Sequence, residues 1–136
     1  MKVSRGPSDE QASFDESVLS MSHDTTLPVT AVLAAVPVHD ADAARTFYER
    51  LLGAPPHASP MPGLAQWNLG DGVLQVVVDP DRAGGGLVTL MFEDLASAAE
   101  AVRGRGMNLD VSEGEVVTAV AQVIDPDGNS ITLVQP

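Results

Sequence analysis

Few side chains in this sequence are equipped for chemistry, and they are scattered. The three histidines are His23, His39 and His57. No two form the paired-histidine motif that puts two imidazoles on one helix face to hold a metal. Cysteine is absent, which excludes disulfides and thiolate metal ligands. There is no nucleophilic triad. Gly84-Gly85-Gly86 lacks the strand before and the helix after it that a phosphate cradle needs, so it reads as a linker. Glu93, Glu113 and Glu115 could approach a site, although loop acids are ordinarily just solvated. Gln75 offers an amide donor and an acceptor within an apolar run. His39 shares strand parity with Leu33, Ala35 and Pro37, which aims it at the mouth of whatever they line. A lone histidine in such a place more often makes a surface hydrogen bond than it catalyses. Trp67 is the only tryptophan, and on a binding face its ring would stack on a planar or cationic ligand for about 0.5–2 kcal/mol.

The charge balance excludes whole classes of partner. The 136 residues carry a formal net charge of −12. Lys2 is the only lysine, and from Pro28 onward 14 acidic residues stand against 5 arginines. Nucleic acid and anionic membranes need clustered Lys and Arg, so neither is an expected partner. The field suits a cationic small molecule, although a charged surface also serves solubility. No apolar run approaches the roughly 20 residues of a membrane span. The N-terminus lacks the apolar stretch of a signal peptide. Both observations lead us to expect a cytoplasmic protein.

The elements that must position these residues start late. Residues 1–27 are rich in Ser, Asp, Glu and Thr without sustained periodicity, and are expected to be a disordered acidic and polar tail. Residues 28–136 are expected to be one domain. Val32, Val36 and Val38 alternate with Leu33, Ala35 and Pro37 as in a strand. Asp40 or Asp42 can cap a helix bearing Ala44, Phe47, Tyr48, Leu51 and Leu52, which Gly53 ends. The prolines from Pro55 to Pro62 mark a loop. Residues 64–69 and 73–78 read as a hairpin around Gly70-Asp71-Gly72. Trp67 faces the helix side if Leu69 pairs with Gly72, and the opposite side if Leu69 pairs with Val73.

The order then repeats. Residues 87–92 form a strand, and Asp94 caps a helix carrying Leu95, Ala98, Ala99 and Val102. Strands are expected at 109–112, 116–124 and 131–135, the last two joined by Asp125-Pro126-Asp127-Gly128-Asn129. Val38-His39-Asp40 matches Phe92-Glu93-Asp94 at an offset of 54 residues. Module one spans 28–82 and module two 86–136. The fold class expected is α+β, two βαβββ modules with curved mixed sheets and helices on their outer faces. Val32, Val36, Val38, Val88, Leu90, Phe92, Ile131 and Leu133 should pack beneath the helices. The opposite parity should line a cleft: Leu33, Ala35, Pro37, His39, Gln75, Leu87, Thr89, Met91 and Thr132, with Trp67 as a candidate stacking residue.

The segment Val36-Pro37-Val38-His39-Asp40 with Phe47-Tyr48-Glu49-Arg50-Leu51-Leu52-Gly53, the segment Phe92-Glu93-Asp94-Leu95, and the turn Asp125 to Asn129 together resemble the vicinal oxygen chelate superfamily of glyoxalases, bleomycin resistance proteins and dioxygenases. The resemblance covers Val29 to Pro136. It implies sheets that enclose a cleft, and commonly a homodimer. Its enzymes hold a divalent metal on His, Glu or Gln at one inward position of four strands. The matching positions here are Leu33, Gln75, Leu87 and Thr132, a set without the three or four strong donors a metal needs. The favoured reading is therefore metal-free, with no cofactor. It is the binding of a small cationic or aromatic molecule, as in antibiotic-sequestering resistance proteins. The alternative is a superfamily enzyme (lyase, isomerase or dioxygenase type) acting on a small metabolite through an atypical metal site or none. His39, Gln75, Glu93 or Glu115 would then be its polar actors. A third reading is a sensing or structural module that makes contacts through its tail.

Overall fold

Alternating β-branched and small residues make strand β1 (Leu33–Val38) in the computed structural model, which describes residues 26–136. The expected tail falls outside the described residues except for its last two, Thr26 and Leu27. Asp40 then caps helix α1 (Ala41–Leu52), its carboxylate accepting from the Asp42 and Ala43 amides. The helix stops at Gly53, whose φ of 80° lies where side chains with a Cβ are strained. Strands β2 (Ala58–Met61), β3 (Leu64–Leu69) and β4 (Gly72–Val78) complete module one. The chain then repeats: β5 (Leu87–Met91), α2 (Leu95–Gly104), β6 (Ser112–Glu113), β7 (Ala119–Ile124) and β8 (Ser130–Gln135).

Each module builds one four-stranded sheet, ordered β1-β4-β3-β2 and β5-β8-β7-β6. β1 runs parallel to β4 and β5 parallel to β8, while the remaining pairs are antiparallel. The α+β class and the doubled unit thus match the sequence expectation. Three details differ. The proline-rich stretch read as a loop contains β2, an exposed edge strand in which Pro60 is tolerated because no further strand needs its missing N–H. The short strand expected at 109–112 is displaced to β6, because Leu109 is 1% exposed and belongs to the core instead. The strand expected from Val116 begins only at Ala119, and Val116 is exposed.

Residues 31–136 make one compact unit with a single core shared by both modules. Val36, Val38, Leu74, Val76, Ile131 and Leu133 point from the sheets towards Tyr48, Leu51, Leu95, Ala99 and Val102 on the helices. Fully burying each aliphatic side chain contributes roughly 1.5–3 kcal/mol before entropy is charged against it. Val32 has the parity of this core but lies beyond the sheet's end and is exposed.

The turn from Asp125 to Asn129 joins the modules. Asp125 and Asn129 are both buried. The Tyr48 hydroxyl donates to Asp125 Oδ2 at 2.7 Å. The Asn129 amide nitrogen donates to the same oxygen and, at 2.7 Å, to the Pro37 carbonyl at the end of β1. Asn129 Oδ1 accepts from the Gly86 amide at 2.6 Å. A Cβ on Gly86 would stand 2.8 Å from that oxygen, so the Gly-rich linker owes its composition here to a close approach. Asp125 Oδ1 accepts from the Asp127 and Asn129 amides. Burial, then the Asp125 hydrogen bond, push the Tyr48 phenol far above the ordinary tyrosine range. Tyr48 therefore stays a donor wherever the protein is folded.

Candidate functional site

Opposite the helices both sheets present an open face, and register fixes what stands there. Ala35, Gln75 and Gln66 lie side by side across β1, β4 and β3. Leu33, Val73 and Asn68 flank that row on one side, and Pro37, Val77 and Leu64 on the other. Module two repeats the plan: Thr89, Thr132 and Gln122 form the middle row. Leu87, Ser130 and Ile124 lie to one side of it, and Met91, Val134 and Val120 to the other. Each sheet thus carries a mainly polar middle row between mainly apolar ones, with Asn68 and Ser130 as the polar members of the flanks. The Gln75 amide donates to Gln66 Oε1 at 3.1 Å, and the Gln122 amide donates to the Ser130 hydroxyl at 2.7 Å.

Eight of the expected lining residues are brought onto this face: Leu33, Ala35, Pro37, Gln75, Leu87, Thr89, Met91 and Thr132. His39 is not with them. It follows β1 and stands 3.6 Å from the Asp127 carboxylate of the junction turn, with its ring largely in solvent. Trp67 is a correction. The hairpin adopts the register Leu69 with Gly72, so Trp67 pairs with Leu74 on the helix side. It is 0% exposed, and its indole N–H donates to the Ala54 carbonyl at 2.9 Å. It is a core residue beside Tyr48, not a stacking surface. Sequence reading missed Gln66 and Gln122. Counting across the hairpins from Gln75 and Thr132 would have found both, had the turn registers been known.

The face does not close within one chain. β1 and β5 approach each other as edges, without a hydrogen-bonded ladder between them. Leu33, Met61, Leu87, Met91 and Ile124 remain exposed, Leu87 at 75%. A divalent metal of the kind the resemblance implies does not fit here. Leu33 and Leu87 offer no lone pair, and Gln75 and Thr132 are neutral oxygen donors two strands or more apart in different sheets. Among the described residues, no three His, Asp or Glu side chains stand close enough to share an ion. The arrangement can hold an apolar or planar molecule and offer it amide and hydroxyl hydrogen bonds.

No protein-family model matches this chain, and no curated protein does either. Solved structures match clearly. A glyoxalase/bleomycin resistance protein from Catenulispora acidiphila is 30% identical, covers 79% of this chain and 99% of its own, and superposes with a TM-score of 0.73. An antibiotic-binding protein from a Streptomyces species is 27% identical over 87% of this chain and 98% of its own, with a TM-score of 0.64. A bleomycin-binding protein solved in complex with bleomycin is 23% identical over 79% of this chain and 99% of its own, with a TM-score of 0.66. Among the described residues no helix is long and apolar enough to cross a membrane. With its doubled βαβββ frame and its identity to the Catenulispora protein along nearly that protein's whole length, the chain belongs to the glyoxalase/bleomycin resistance family.

Proposed function

We propose that this protein binds a small cationic or aromatic molecule on the open face of its sheets, without a metal, and that a second copy closes that face into a cleft. The observation that carries the reading is the pairing of an exposed apolar surface with one polar stripe per sheet. Contiguous apolar surface of this kind is rare on a free monomer and marks a place that something covers. The Gln66–Gln75 pair and the Gln122–Ser130 pair give that occupant fixed hydrogen-bonding points. The acidic balance of the body favours a cation over an anion. The relatives named for antibiotic and bleomycin binding share the fold and support the ligand class. The reading keeps the protein in the cytoplasm.

Titration of the purified protein with bleomycin, followed by calorimetry, tests the reading. Saturable binding that persists in chelator is expected, and Leu33→Trp should weaken it by about tenfold or more by filling the face. Light scattering should give twice 14.1 kDa. Binding that survives Leu33→Trp, a mass of one chain, or stoichiometric zinc, nickel, manganese or iron in the purified protein would each overturn part of the reading.

A further inference from the structure

On the helix side a recess of about 850 Å³ opens between the modules, walled mainly by helix-facing side chains and reaching Thr89 and Met91 of β5 at its edge. Its position follows from the internal repeat. The 54-residue offset carries Phe47 to Ala101, Tyr48 to Val102, Pro37 to Met91 and Gly86 to Val32. Ala101, Val102, Met91 and Val32 all line the recess. The five-residue turn of module two, Asp125 to Asn129, corresponds to a two-residue turn, Gly70-Asp71, which also lines it. The recess is therefore the twin of the junction built around Tyr48, with the aromatic ring and most of the turn taken out.

The filled twin shows what chemistry such a space accepts. There a phenol ring enters between helix and sheet, and its hydroxyl donates to a carboxylate on the turn. In the open twin the walls are apolar, from Leu90, Phe92 and Leu133 among others. Asp71 supplies a carboxylate at the turn. Arg105 borders the space, but its guanidinium already donates to the Arg50 and Leu51 carbonyls at the end of α1. Those bonds hold the guanidinium at the end of α1, and the Asp71 carboxylate at the turn is an acceptor that suits a hydroxyl donor. The volume lies within the roughly 300–1,000 Å³ of small-molecule pockets, so it has room for more than one ring.

We propose that this recess is a second ligand site, centred on the helix side of the sheets and not on the polar rows of the open face, and that it takes a planar fused-ring aromatic bearing a phenolic hydroxyl, the ring seated where Tyr48 sits in the filled twin and the hydroxyl donating to Asp71. The site does not depend on the sheet-face reading, so the two can fail separately.

β-Naphthol is the probe. Added to nitrogen-15-labelled full-length protein, it should move the amide resonances of Gly70, Asp71, Ala98 and Ala101 saturably. The double variant Ala101→Phe, Val102→Tyr rebuilds the aromatic pair of module one and should weaken binding by about tenfold or more. Because that change alters a core position, Asp71→Asn in the exposed turn is the second arm, and it should weaken binding several-fold while leaving the protein folded. Leu33→Trp should leave naphthol binding as it is. The proposal is overturned if the shifts fall on Gln75 and Thr132 instead, if no shift appears at millimolar naphthol, if both recess variants bind as the wild type does, or if Ala101→Arg converts a dimer to a monomer, which would make the recess a contact between copies.

Discussion

The two junctions between the modules occupy equivalent places in a duplicated frame, yet one is a closed polar network and the other is an open, apolar-walled recess. Duplication alone predicts two alike. What separates them is a handful of side chains and turn length. Tyr48 and Phe47 supply rings where Val102 and Ala101 supply almost nothing. Gly86 lets Asn129 come close where Val32 carries a branched side chain. Within the filled junction both Asp125 oxygens are satisfied, and Asp125 Oδ2 and the Asn129 side chain find partners on both modules, the condition under which a buried polar network strengthens a core. One junction can hold the halves together, which frees its twin to differ.

If that asymmetry is real in energy as well as in geometry, the filled junction should be the most sensitive place in the molecule. Asp125→Ala leaves the Tyr48 hydroxyl and two backbone amides without their acceptor and takes one of two acceptors from the Asn129 side-chain amide, all of them buried or nearly so. Each orphaned buried donor costs about 1–3 kcal/mol, so the several donors left here together cost about 3–5 kcal/mol. Against a usual total of roughly 5–15 kcal/mol, urea unfolding should show a large share of the stability gone. A loss below about 1 kcal/mol would mean the two junctions matter alike. Tyr48→Phe removes only one charge-assisted bond and should cost about 1.5–3 kcal/mol. It also carries a pH signature. The folded phenol titrates above the unfolded one, so its contribution is complete below the ordinary tyrosine pKa of about 10. Above that pH, stability should fall by about 1.4 kcal/mol per unit in the wild type. The variant should lack this component of alkaline unfolding.

How much of this could be read from the residues follows the same divide. Local signals were clear: the Asp40 and Asp94 caps, the stop at Gly53 and the alternation of β1, β5 and β8 are written in neighbouring positions. Their repetition at one offset revealed the architecture. Pairings between distant segments were not legible. Trp67 could face either way until one hairpin register was known, since a slip of one residue reverses every side chain. The partnership of Tyr48 with Asp125, 77 residues apart, leaves no trace in either segment alone. His39 had the parity of the open face, but the turn that pairs with it lies in the other module. The recess was invisible because it consists of side chains too small to attract notice.

Filling that recess is the next and smaller test. In ligand-free protein, Ala101→Phe with Val102→Tyr adds ring surface to a space that already exists, and should raise stability by about 1 kcal/mol at the usual value of buried apolar area. The new tyrosine has no five-residue turn to meet it, so it gains far less than Tyr48 loses when truncated. A loss of about 1–3 kcal/mol on thermal unfolding would instead signal overpacking, and hence that the recess is narrower in solution than its walls suggest.

The smallest effect concerns the helix starts, where the modules also differ. The Asp40 carboxylate accepts from two backbone amides, whereas Asp94 accepts from both the amide and the hydroxyl of Ser97. These bonds, the backbone one first, hold the Asp94 carboxyl below its ordinary value of 3.8. A lowered folded-state pKa means stability that is present above the unfolded value and lost as pH falls through the folded one. Carboxyl-carbon NMR should therefore find Asp94 more than half ionised at a pH where an unperturbed aspartate is half protonated. Ser97→Ala removes the hydroxyl but keeps the amide, so the Asp94 midpoint should rise part of the way back. A midpoint that does not move would show that the backbone amide alone sets it, and that α2 starts on the same kind of cap as α1.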